Sequence, residues 1–175
     1  MRLPLTAAAC CLAALLATSA QARPLERELP PKGNACWERS YDAAHLASHP
    51  RQKVAKVRLL HSPRNWQPGE GGSLYVMLYF NLRERVNPGQ NFDYQLSGFC
   101  KAAGQGLRCV PEWEAGSWRI ERGPNGALDI RNAGITANPN PYDAEEIADD
   151  AVSIPAKPDD GVWRLLPASG RCEIE

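Results

Sequence analysis

From Ser73 to Arg83 the chain alternates, with Leu74, Val76, Leu78, Phe80 and Leu82 on one side and Tyr75, Met77, Tyr79 and Asn81 on the other. That is the period of a strand with one buried face. A turn at Asn87-Pro88-Gly89 follows, and Phe92, Tyr94, Leu96, Gly98 and Cys100 then resume the alternation. With Gly104-Gln105 as a two-residue hairpin loop, Gly supplying the positive φ at its first position, Cys100 falls opposite Cys109, the register of a cross-strand disulfide. A second two-residue loop at Ala115-Gly116 sets Trp113 opposite Trp118 and yields one apolar row of Leu96, Trp113 and Trp118. A three-residue loop at Pro124-Asn125-Gly126 then keeps Leu128 and Ile130 on the face of Trp118 and Ile120. Residues 73–132 are therefore predicted to form an antiparallel meander of five strands. A slip of one residue would turn this apolar face outward, which ties the three loops to one register.

Outside the meander, Ser40 to Ser48 reads as a short helix with Ser40 or Asp42 as its cap and Pro50 as its stop. Val54 to Leu60 and Val162 to Leu166 are strand candidates, and the Pro-rich stretch before the latter reads as a long loop. The predicted fold class is all-β, an antiparallel meander forming a small barrel or sandwich, with one short N-terminal helix. Residues 36–175 form a single domain.

The ends of the chain add a compartment. Arg2, the apolar run from Leu5 to Ala17 and the Ala20-Gln21-Ala22 ending describe a secretory signal peptide over residues 1–22, and residues 23–35, rich in Pro and charge, read as a flexible leader. The expected location is the periplasm or the medium. No second apolar run follows, so no membrane span is expected. Cys10 and Cys11 leave with the signal, and Cys36, Cys100, Cys109 and Cys172 remain as two disulfides of an oxidising compartment. Four cysteines allow three connectivities; the hairpin register favours Cys100 with Cys109, and so Cys36 with Cys172.

Charge is segregated: residues 23–64 carry nine Lys/Arg against four Asp/Glu, whereas residues 139–160 carry seven acidic residues against Lys157. The basic residues are not interleaved with aromatics in a dense patch, so nucleic acid is not an expected partner. No nucleophile elbow, phosphate loop or dinucleotide fingerprint is present, and no cofactor is expected.

What remains are weaker constellations. His45 and His49 share one helical face at a spacing that suits Zn²⁺ or Cu²⁺ when a third ligand arrives, but the Glu of a metalloprotease helix is missing and His49 also suits a helix C-cap, so no metal is expected. Glu112 and Glu114 alternate away from Trp113 and are candidates for a glycosidase pair or for the wet side of a strand. Asp143, Glu145, Glu146, Asp149 and Asp150 are clustered oxygens without EF-hand spacing. Tyr75, Met77, Tyr79 and Phe99 put too many apolar groups on the polar face of the meander; with partial cover from Leu46 of the helix, they are expected to leave an exposed binding patch.

The run Cys36-Trp37, Asp42-Ala43-Ala44-His45-Leu46-Ala47, His49-Pro50, Gln52 and Val54, with Asp160, Trp163-Arg164-Leu165 and Cys172, resembles a family of small exported proteobacterial proteins with no assigned activity. The resemblance spans most of the mature chain, adds support for pairing Cys36 with Cys172, and implies no catalytic residues. The expectation is an exported, non-enzymatic β-domain that binds an envelope protein or glycan. The alternatives are a hydrolase of envelope glycans and a structural envelope protein without a ligand.

Overall fold

The computed structural model describes residues 25–27, 29, 34–62, 74–84, 91–111, 114–140, 147–169 and 172. Strand β1 (Ala35–Ser40) leads into helix α1 (Ala43–Ser48), followed by β2 (Val54–His61), β3 (Leu74–Leu82), β4 (Tyr94–Ala103), β5 (Gly106–Val110), β6 (Gly116–Arg122), β7 (Leu128–Pro139), β8 (Val152–Ile154) and β9 (Val162–Pro167). All pairings are antiparallel. Eight strands close in the order β6-β5-β4-β3-β2-β1-β9-β7, with β7 pairing back onto β6, and β8 extends the far half of β7. The fold is thus a closed barrel and not an open sandwich. β4 and β7 touch directly at Tyr94–Pro139 and Gln95–Asn138, while further along they are separated by the β5–β6 hairpin.

An eight-stranded barrel leaves an interior just wide enough for side chains to fill. Here Trp118, Trp163, Phe80, Leu78, Leu96 and the Cys100–Cys109 bridge fill it, each with essentially no exposure. Phe80 and Trp163 meet edge to face at 5.5 Å. Gly98 must stay small, because a Cβ there would collide with the Trp118 ring. The inward set along β7 switches from Leu128 and Ile130 to Ile135 and Ala137, and Gly134, with φ 98°, lies between them at the register shift. An extra residue in one strand reverses which side faces inward.

The predicted meander is present as β3 to β7, with Gly104 at φ 66° in the first hairpin and 124–126 in the last. Its middle loop differs. Cys109 pairs with Trp118 and Leu107 with Ile120, four positions away from the register that a two-residue Ala115-Gly116 loop imposes. The shift is even, so Trp118 and Ile120 still face inward. Gly116 instead pairs with Ile135, at φ 94°, where any Cβ would strike the Gly134 carbonyl, so it serves the β6–β7 contact and not a hairpin tip. Trp113 and Glu112 lie outside the described residues, and so does the row built on Trp113.

Three further expectations are corrected. Leu25 and Leu29 of the expected flexible leader are buried against the core, beside β5, so this part is docked. Helix α1 has no buried residue, and Leu46 is not in the cluster around Tyr79 and Met77, so it is not the cover for those two residues. The cover is instead Phe92 together with Cys36, Cys172 and Ala168, which form a second, smaller cluster with Leu60, Met77 and Tyr79. Tyr79 is consequently 2% exposed. Its ring lies 5.6 Å from Phe92, which Lys56 and Arg58 cover in turn at 4.4 and 4.7 Å. The Cys36–Cys172 bridge ties the C-terminal segment to β1 across 136 positions, a closure worth about 5 kcal/mol in the chain-entropy model.

Candidate functional site

The filled interior puts concave chemistry on the outer wall, where α1 lies beside β1 and β9. The helix is short and depends on its caps. Asp42 Oδ1 accepts from His45 N at 2.7 Å, the His49 N–H returns to the His45 carbonyl, and Arg83, just after β3, donates to the carbonyls of His49 and Pro50, both at 3.1 Å. Capping and a cation at the last turn are what so short a helix needs. On one side of it Tyr41, His45 and His49 stack, with ring centroids 4.5 and 4.1 Å apart, and the Arg39 guanidinium lies 5.4 Å above Tyr41.

Gln52 locks this stack to the barrel. It is buried, its Nε2 donates to the Val54 carbonyl at 2.7 Å, and its Oε1 lies 2.9 Å from His45 Nε2. Since Oε1 can only accept, neutral His45 carries its proton on Nε2. His49 Nδ1 lies 2.9 Å from the His45 carbonyl, so neutral His49 carries its proton on Nδ1. The edges left over, His45 Nδ1 and His49 Nε2, are acceptors.

Asp160 anchors the opposite wall. It is buried, and its carboxylate accepts from Lys53 N at 2.6 Å, Val54 N at 3.3 Å and Trp163 Nε1 at 3.3 Å. Burial nevertheless raises its pKa, outweighing these three donors. Next to it, Asp159 accepts from Arg51 N at 3.2 Å. Burial likewise pushes the Tyr41 hydroxyl up to about 12, opposed by Arg39 and reinforced by Asp160, so Tyr41 is a neutral donor near neutrality. Arg164 of β9 is held by a two-point bridge to Asp129 of β7, at 2.7 and 2.8 Å, and these hydrogen bonds lower the Asp129 pKa.

Between the two walls lies a cleft of about 290 Å³. Its sides are the Tyr41-His45-His49 stack with Arg39, and Val162, Arg164 and Leu166 of β9, with Gln52 and Asp159 between them. Val162 and Leu166 are 46% and 48% exposed, among the most exposed large apolar side chains described. Among the described residues no carboxylate lies within ion-pair reach of Arg39.

The positions singled out in the sequence are distributed as follows. His45 and His49 are brought together, but as stacked rings with only 16° between their planes. A metal must lie close to the plane of each ligating imidazole, and the planes of two stacked, nearly parallel rings with centroids 4.1 Å apart do not meet beside either nitrogen, so in this arrangement they do not share one ion. Among the described residues no group of three His, Cys, Asp or Glu is placed to hold a metal. Tyr75 and Phe99 form an edge-to-face pair at 5.6 Å and are half-buried, next to Val110 at 43% exposure. Met77 is half-buried and accepts from the Tyr79 hydroxyl at 3.4 Å. Glu114, Asp149 and Asp150 are exposed; Asp143, Glu145 and Glu146 lie outside the described residues. Arg39, Tyr41 and Arg83 escaped the reading of the sequence. The one signal pointing to Tyr41 is its helical spacing from His45.

Several of the residues that carry the sequence resemblance meet here: Asp42 caps the helix, His45 meets Gln52, Gln52 meets Val54, and Asp160 ties Val54 to Trp163, whereas Cys36 and Cys172 lie in the Phe92 cluster and Trp37 donates to the Gly126 carbonyl. No protein-family model, no curated protein and no solved structure matches the chain. Among the described residues no helix is long and apolar enough to cross a membrane.

Proposed function

We propose that the protein is an exported, non-enzymatic binding module of the cell envelope, periplasmic or secreted, that takes an envelope component in the cleft between α1 and β9. The observation that carries this reading is the contrast between a barrel interior filled by Trp118, Trp163 and Phe80 and a wall cleft where an arginine with no carboxylate partner among the described residues, an aromatic stack and two exposed apolar side chains converge. Sites for small ligands combine an apolar surface with a few convergent polar groups in this way. Two disulfides suit an oxidising compartment, and the likeness to small exported proteins points the same way.

The half-buried Tyr75–Phe99 pair with Val110 supports a second reading, in which a protein partner docks on the wall of β3, β4 and β5. Passing solubilised envelope fractions over immobilised protein separates the readings. The cleft reading expects retention without released sugars, reduced about tenfold by Arg39→Gln and unchanged by Tyr75→Ala. Loss through Tyr75→Ala alone selects the second surface, released sugars select catalysis, and no retention by the wild-type protein selects a purely structural role.

A further inference from the structure

We infer that the cleft recognises a carboxylate-bearing sugar, an acidic monosaccharide unit of the uronic acid class; the inference rests on the cleft reading above and specifies its ligand.

The cationic side is one guanidinium. Arg39 has no carboxylate partner among the described residues and is held over Tyr41 at 5.4 Å. The fork of a guanidinium matches a carboxylate in two-point geometry. Arg164 adds donors, since only its Nε and Nη2 are engaged by Asp129. A dianionic phosphate fits less well, because Asp159 lines the same cleft and repels a second negative charge.

The remaining groups mostly accept. Asp159 spends one oxygen on Arg51 N, and hydrogen bonding fixes neutral His45 and His49 with their free nitrogens as acceptors. A ligand matching one cation and several acceptors carries one anionic group and several hydroxyl donors, which describes a sugar acid. Val162 and Leu166 offer apolar surface for the C–H face of a pyranose. The volume of about 290 Å³ sits at the lower end of small-molecule sites, room for one ring and not for a long chain.

The test is calorimetric titration of the wild-type protein, Arg39→Gln and His49→Phe with glucuronate, glucose, acetate and inorganic phosphate. Arg39 is exposed, and phenylalanine at 49 keeps a ring in the stack, so thermal melts confirm that both variants fold. Glucuronate is expected to bind at least about tenfold tighter than glucose, acetate or phosphate, to lose about tenfold in Arg39→Gln, and to lose several-fold in His49→Phe. Equal binding of glucose and glucuronate, tighter binding of phosphate, an unaltered Arg39→Gln titration, or no glucuronate heat up to about 50 mM overturns the assignment. If glucuronate fails while envelope retention still depends on Arg39, the sugar-acid assignment falls and the binding-module reading stands. If both fail, the cleft is not a ligand site.

Discussion

Replacing Asp160 by alanine removes the carboxylate that joins the start of β2 to β9 under the cleft. Three donors lose their acceptor: Lys53 N at 2.6 Å, Val54 N at 3.3 Å and Trp163 Nε1 at 3.3 Å. A buried donor left unsatisfied costs about 1–3 kcal/mol. Val54 and Trp163 are fully buried, so two of the three losses count in full, and Lys53, more exposed, regains water. The alanine also relieves the cost of burying a carboxylate, the same cost that raises the Asp160 pKa. The net expectation is a loss of about 3 kcal/mol, which for a domain of this size lowers the melting temperature by roughly 6–12 °C. Asp159→Ala is the control: it removes a single bond to Arg51 N on the surface and should stay within about 0.5 kcal/mol of wild type. Melting followed by circular dichroism reads both. An Asp160→Ala protein melting within about 2 °C of wild type would refute the assignment of Asp160 as the clamp between the cleft walls.

Tyr79→Ala should cost about 3–5 kcal/mol, since a fully buried ring is deleted from the cluster with Phe92, whereas Tyr79→Phe, which keeps the ring and gives up the hydroxyl that donates to the Met77 sulfur, should cost about 1–2 kcal/mol; chemical denaturation separates them. Non-reduced peptide mapping should yield Cys36 with Cys172 and Cys100 with Cys109, and the Cys36→Ser, Cys172→Ser double variant should lose up to about 5 kcal/mol. The two buried aspartates should give opposite pH slopes. Asp160, with its raised pKa, binds its proton more tightly when folded, so its contribution falls as pH rises above the ordinary carboxylate value of about 4, and Asp160→Asn should flatten that fall. Asp129, with its lowered pKa, contributes stability above that value and loses it as pH drops, so Asp129→Asn should reduce acid sensitivity in urea titrations at stepped pH.

How far the residues alone lead is clearest strand by strand. β3, β4 and the first hairpin were legible because strict alternation and Gly104 leave one register, and the Cys100–Cys109 bridge follows from it. The β5–β6 register was not, because Ala115-Gly116 looks like a hairpin loop locally and only the approach of Gly134 from β7 gives Gly116 another use. β1 lacks a legible alternation in Ala-Cys-Trp-Glu-Arg-Ser, and its pairing with both β2 and β9 closes the barrel. Closure is a non-local fact that no single segment records. Tyr79 lies on the outer side of its strand, as its alternation implies, yet Phe92 and the C-terminal segment bury it there. Half of the cleft was visible as His45 and His49 four positions apart. The other half, Arg39, Asp159, Val162 and Leu166, comes from β1 and the region of β9, which are distant in sequence and meet only through the barrel.

The most direct measurement of the central claim is amide chemical-shift mapping on ¹⁵N-labelled protein titrated with a soluble envelope glycan digest. Binding in the cleft should produce saturable shifts at Arg39, Tyr41, His45, His49, Gln52 and the β9 residues Val162 to Leu166, with Tyr75, Phe99 and Val110 unmoved. Shifts confined to Tyr75, Phe99 and Val110, or no shifts at all, would contradict it.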